Sequence, residues 1–138
     1  MKVMVTGADG LLGSNTVRVL LERGHEIGVF LQRGKPTPTL DDLPLERHEG
    51  DLLDLESILK AFVGYEAIVH IAANTSVWPS RSKLSWDVNV TGTAHVLKAV
   101  ERIQADRLIC IGTANSFTPG TKEHPGDENT AFGCNKYG

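Results

Sequence analysis

A chain of 138 residues, 41% apolar and 22% charged, has the size and make-up of one globular domain with a hydrophobic core of its own. A formal charge of −3 leaves no electrostatic footprint for nucleic acid, and no run reaches the length of a membrane span. Two cysteines, Cys110 and Cys134, make no disulfide framework; Cys110 lies in an apolar run and reads as a buried thiol, which points to a reducing cytoplasm.

Val3, Met4, Val5 and Thr6 form an almost wholly apolar run that suits a strand covered on both faces. The run is too short for the core of a secretory leader. Leu12, Thr16, Val19 and Leu20 then recur at helical spacing, with Gly24 as the stop. Ile27 to Leu31 reads as a second strand, and residues 32–42, punctuated by Pro36 and Pro38, as a polar loop. Leu45 to Glu49 suits a third strand. Asp54 is placed to cap a helix whose face is Leu55, Ile58, Leu59 and Phe62 and which Gly64 ends. Ala67 to Ile71 is a fourth buried run. After Pro79, the residues Trp86, Val90, Ala94, Leu97, Val100 and Ile103 stand three or four apart, which predicts an amphipathic helix of roughly six turns. Arg107 to Ile111 supplies a fifth strand. Strands and helices alternate, so the fold class is α/β: a doubly wound parallel sheet with right-handed crossovers. Nothing periodic follows Gly112, and the text ends at Lys136-Tyr137-Gly138 with no helix to cover the fifth strand. Residues 1–138 are therefore read as one domain, truncated from a longer protein.

Gly7, Gly10 and Gly13 fall between the first strand and its helix. A turn without Cβ atoms lets a ligand approach the main chain, and the following helix offers free N–H groups and a positive dipole end to a diphosphate. No Gly-Lys-Ser/Thr follows, so this is not a nucleoside-triphosphate loop. A plain strand-to-helix turn is the alternative, and the βαβ setting argues against it.

In this spacing, Thr6-Gly7-Ala8-Asp9-Gly10-Leu11-Leu12-Gly13 resembles the extended branch of the short-chain dehydrogenase/reductase superfamily, which includes epimerases, dehydratases and dihydroflavonol reductase-like proteins. Gly50-Asp51-Leu52 is similar to that family's Gly-Asp-Leu/Ile, His70-Ile71-Ala72-Ala73 to its His-x-Ala-Ala, and Val88-Asn89-Val90-Thr91-Gly92-Thr93 to its Val-Asn-x-x-Gly-Thr. The resemblance implies a Rossmann domain whose substrate-binding lobe and last strands are absent from the chain. It also implies a cofactor held by Thr6, Gly7, Gly10, Leu11, Leu12, Gly13, Asp51, Leu52, Ala72, Ala73 and Asn89, with Asp51 near the adenine. Homodimers formed through helices that include the long one are a further implication. Trp78 resembles the dihydroflavonol reductase-like members slightly more than the epimerases.

An acidic residue at the end of the second strand would hold the ribose hydroxyls of NAD, but here the text is Gln32-Arg33-Gly34-Lys35. Arg33, and after it Lys35, suits a 2′-phosphate, so NADP is expected ahead of NAD; a solvated basic loop is the plainer reading. Family chemistry needs a Ser or Thr on the substrate oxygen and a Tyr made usable near neutrality by an adjacent Lys. Thr113 is the matching hydroxyl, with Ser116 the second choice, Gly112 departing from the usual Ser, and a simple turn cap as the alternative for Thr113. Tyr137 begins one register of the Tyr-x-x-x-Lys pair. A second register puts Phe132 in the Tyr position and gives a dead site, and a third puts both residues beyond Gly138. His25, His48, His95 and His124 show no metal-ligand spacing. Trp86 fits the core face of its helix. The expectation is an NADPH-dependent reductase of a small carbonyl substrate. The alternatives are a nucleotide-sugar epimerase or dehydratase, and a catalytically silent dinucleotide-binding protein.

Overall fold

The structure, a computed structural model, describes residues 1–76 and 82–133. Trp78, Cys134, Lys136 and Tyr137 lie outside the described residues. Five parallel strands, β1 (Lys2–Thr6), β2 (Glu26–Gln32), β3 (Glu46–Gly50), β4 (Ala67–His70) and β5 (Arg107–Cys110), form one sheet in the order β3-β2-β1-β4-β5. Helix α1 (Leu11–Glu22) crosses from β1 to β2, and α2 (Leu55–Phe62) from β3 to β4. A helical stretch of three parts leads to β5: α3 (Lys83–Trp86), a wide π turn (Asp87–Gly92) and α4 (Thr93–Ile103). This is the doubly wound sheet expected from the sequence. Its strand order reverses between β1 and β4, the switch point where such sheets open a crevice beyond their C-terminal ends.

Alternation along each strand feeds two cores. Val3, Val5, Ile27, Val29, Leu31 and Val69 pack toward Val17 of α1 on one face. Met4, Phe30 and Ile68 pack toward Ile58 and Phe62 of α2 and Val96 and Ala99 of α4 on the other. Each such side chain contributes about 1.5–3 kcal/mol by leaving water. Asp54 caps α2 as expected, its carboxylate accepting from the Ser57 N–H at 3.3 Å.

Several packing expectations are corrected. Helix α1 faces the sheet through Gly13, Ser14 and Val17, while Leu12 and Val19 are exposed. The small residues let the helix lie close to the sheet, and a hydrophobic period is blind to them. Trp86, read as a core residue, is 66% exposed, and Val90 and Leu97 are exposed too. The wide turn shifts the phase of Trp86 and Val90 relative to α4, and α4 itself packs on α2 through Val96 and Ala99, with Val100 and Ile103 beside them, which leaves Leu97 outside the buried face. Leu40, in the loop read as polar, is fully buried at the end of a short 3-10 turn (Pro38–Leu40). Cys110 is exposed, because β5 is the edge strand and is mostly open along its length among the described residues. The argument from a buried thiol to a reducing compartment therefore does not hold.

Candidate functional site

The glycine turn sits at the C-terminal end of β1, at the switch point. Its three glycines are there for different reasons. Gly7 has φ +68, and a Cβ there would fall 2.6 Å from the Ala72 nitrogen. A Cβ on Gly13 would run into the Gly7 carbonyl oxygen. Both glycines are required by the fold itself. Gly10 is not: its φ is −76, and an added Cβ would meet nothing nearer than the Gly7 oxygen at 3.4 Å, an ordinary contact. Among the described residues, then, sterics leave room for a side chain at position 10.

Helix α1 begins beside this turn. Gly10 is its N-cap and offers no side chain to cap it, and its first turn holds no acidic residue. Leu11 is 86% exposed and Leu12 also faces solvent. The first N–H groups and the positive end of the helix dipole are thus presented outward, the arrangement that suits an anionic group.

Around the turn, hydrogen bonds tie β1, β4 and the π turn together. The buried Thr6 hydroxyl lies 2.7 Å from His70 Nδ1 and accepts from the N–H groups of Ile71 and Ala72, each at 3.3 Å. His70 Nε2 lies 3.1 Å from the Thr93 hydroxyl, which donates to the Asn89 carbonyl at 2.8 Å. The Asn89 side chain holds the loop after β4: its Oδ1 accepts from the Asn74 N–H at 2.7 Å, and its Nδ2 donates to the Asn74 carbonyl at 3.0 Å. Burial lowers the His70 pKa and keeps the ring neutral.

The sequence-predicted residues divide by place. Thr6, Gly7, Gly10, Leu11, Leu12, Gly13, Ala72 and, through Asn74, Asn89 converge on the switch point. Asp51 and Leu52 follow β3: Asp51 is exposed and accepts from the Leu53 N–H at 2.9 Å, while Leu52 packs on Gly92 and its carbonyl meets His95 Nδ1 at 2.9 Å. Ala73 is exposed one residue beyond Ala72. Arg33 follows β2, exposed, and leans to within 3.9 Å of Asp54 Oδ2. Thr113 follows β5 on the same edge, its carbonyl accepting from the Ser116 N–H at 3.1 Å. Phe132 stacks edge-to-face on Phe117 and bridges to it in an antiparallel sense. A mixed-charge groove between β3 and α2, lined by Arg47, Glu49, Glu56 and Lys60, meets the candidate residues only at Arg33 and stays clear of the glycine turn. Thr93 and Asn74 were assigned no role from the sequence. The motif Val-Asn-x-x-Gly-Thr contains Thr93, but its link to His70 crosses 23 residues and only the fold reveals it.

A parallel sheet of this order, with a glycine turn at its switch point and a bare helix N-terminus beside it, defines a Rossmann-type domain. The chain belongs to the NAD dependent epimerase/dehydratase family, whose model matches residues 3–137. It is 39% identical over 109 residues to the sterol demethylase protein B of Methylococcus capsulatus, covering 79% of this chain and 33% of that protein. It is 30% identical over 105 residues to a putative dihydroflavonol 4-reductase of Synechocystis, covering 76% and 30%. Among solved structures, a UDP-glucose 4-epimerase from Bifidobacterium longum in complex with NAD+ and UDP superposes with a TM-score of 0.82 at 26% identity, covering 96% of this chain and 43% of that one. The chain spans about one third of the length of the curated relatives it matches. No helix among the described residues is long and apolar enough to cross a membrane.

Proposed function

We propose that this chain is the dinucleotide-binding part of an NADP(H)-dependent reductase acting on a small carbonyl substrate. The observation that carries the reading is Gly10: a position where the protein has room for a side chain and carries none, at a helix N-terminus with no acid and no cap. A diphosphate fits that vacancy in shape and charge. The Thr6 to Gly13 turn would hold it, with Ala72, Ala73 and Asn89 along the nicotinamide half and Asp51 and Leu52 toward the adenine.

Arg33 supports NADP over NAD. It stands exposed after β2, in a stretch, Gln32 to Lys35, that carries no acidic residue to hold ribose hydroxyls, and its guanidinium, 3.9 Å from Asp54, would turn to a 2′-phosphate. When bound, the reduced nicotinamide supplies the hydride. Thr113, on the same sheet edge, would hold the carbonyl oxygen of the substrate, and Tyr137 would deliver its proton. Calorimetry with NADPH and NADH tests the cofactor reading. Arg33→Ala should weaken NADPH about tenfold and leave NADH unchanged; equal losses for both would contradict the NADP assignment.

A nucleotide-sugar epimerase is the second reading, favoured by the match to an epimerase solved with NAD+ and UDP. It requires NAD to bind more tightly than NADP, so the same titration separates the two. The exposed apolar side chains Trp86, Val90 and Leu97 support a homodimer through this helical stretch. Sedimentation of the chain against a Leu97→Glu variant checks it: the dimer should dissociate in the variant.

A further inference from the structure

The hydrogen bonds behind the glycine turn run in one direction, and that direction assigns a role to His70. A threonine hydroxyl has one hydrogen and two lone pairs. Thr6 Oγ1 accepts from the Ala72 N–H and from the Ile71 N–H, which it shares with the Thr6 carbonyl, so its own hydrogen is directed to the remaining neighbour, His70 Nδ1, at 2.7 Å. Nδ1 therefore accepts, and a neutral imidazole that accepts there carries its proton on Nε2. At the far end of the ring, Nε2 faces Thr93 Oγ1 at 3.1 Å, and the Thr93 hydrogen is committed to the Asn89 carbonyl. Every hydrogen has one destination: Thr6 to His70, His70 to Thr93, Thr93 to Asn89. The opposite tautomer would set two hydrogens between Thr6 and Nδ1, and would draw the Thr93 hydrogen away from the Asn89 carbonyl, its nearer partner at 2.8 Å, to serve Nε2.

Each end of this relay belongs to a different wall of the site. Thr6 is the last residue of β1 and gathers in Ala72, whose nitrogen packs where a Gly7 Cβ would be. Asn89 lies in the π turn and grips Asn74, in the loop after β4. His70 and Thr6 are almost completely buried, so no solvent intervenes.

We infer that His70 is a positioning residue of the dinucleotide site: locked as the Nε2–H tautomer, it fixes the spacing between the glycine turn and the Asn89–Thr93 turn without touching the ligand. This rests on the dinucleotide reading above. Removing the Thr93 acceptor releases the ring, so the walls lose their common register and dinucleotide affinity falls while the Gly10 surface is unaltered.

The test joins imidazole NMR to binding. In the 15N-labelled chain, two-bond proton–nitrogen correlations should show His70 as a single Nε2–H tautomer. Thr93→Val should give a mixed or exchanging tautomer signal and weaken NADH and NADPH alike by about fivefold or more. Thr93→Ser, which keeps the hydroxyl, should restore both readouts, which separates the relay from simple damage to packing. A Nδ1–H tautomer in the unaltered chain overturns the inference. So does a Thr93→Val variant whose tautomer is mixed but whose affinity is unchanged, and in that case the dinucleotide reading stands. If the unaltered chain binds neither NADH nor NADPH, the dinucleotide reading falls and takes the role of His70 with it.

Discussion

The two edges of this sheet treat their polar groups in opposite ways. At the N-terminal edge, Lys2 Nζ meets Glu46 Oε2 at 2.7 Å, the Lys2 N–H donates to Glu66 at 2.5 Å, and His48 Nε2 lies 2.9 Å from the Tyr65 hydroxyl. The Lys2 ammonium also stands 4.7 Å from the centre of the Tyr65 ring, which fills the space over Gly28. The hydrogen bond from Lys2 holds the Glu46 carboxyl below its ordinary range, and burial followed by the nearby Glu46 pushes the Tyr65 phenol up. These groups satisfy one another. At the C-terminal edge, the inner groups are just as well paired, through Thr6, His70 and Thr93, but the outermost donors, at the start of α1, meet no side-chain cap among the described residues. Chemistry-bearing residues occur at both edges, and what distinguishes a candidate site from a structural cluster is the donors left open.

That contrast can be broken deliberately. The largest effect should come from Gly13→Ala, whose Cβ meets backbone that cannot give way; we expect a loss of about 3 kcal/mol in unfolding free energy by denaturant titration. Tyr65→Phe, at the opposite edge, removes the partner of His48 and should cost about 1 kcal/mol with dinucleotide affinity unchanged, measured by the same titration and by calorimetry. A change in affinity there would mean that the two edges are coupled.

Acid should act through His70. Its pKa is lowered by burial from an ordinary value of 6.5, so below that value the unfolded chain takes up a proton that the folded chain refuses. Stability is therefore complete above pH 6.5 and declines as the pH falls below it. Thermal midpoints followed downward from neutral pH should fall, and fall less in a His70→Asn variant. The smallest effect is expected from Glu46→Gln. Its ion pair with Lys2 is exposed, so the thermal midpoint at neutral pH should barely move, and less than for Tyr65→Phe.

The five strands and the place of the glycine turn were legible because buried parallel strands write themselves as short apolar runs, and glycines mark close approach. The helix faces were less so. Gly13 and Ser14 are the inward face of α1 yet carry no hydrophobic signal, and the wide turn at Asp87–Gly92 shifts the phase that a constant period assumes. Cys110 was misjudged because an apolar run predicts strand but not whether the strand lies at an edge. In the site, Thr6, Gly7 and Ala72 were readable as separate motifs. The relay that joins them through His70 and Thr93 is a long-range contact, which no local pattern encodes.

If a dinucleotide seats on this turn, position 10 is glycine for the sake of that ligand. Gly10→Ala tests it most directly, because the fold has room for the methyl group and the loss at the N-cap should be about 1 kcal/mol or less. Calorimetric titration of the variant with NADPH and NADH, beside a thermal melt, gives both readouts. The variant should be a folded chain with a nearly unchanged midpoint and an affinity at least about tenfold weaker for both dinucleotides. A folded Gly10→Ala chain that binds them as tightly as the unaltered one would contradict it.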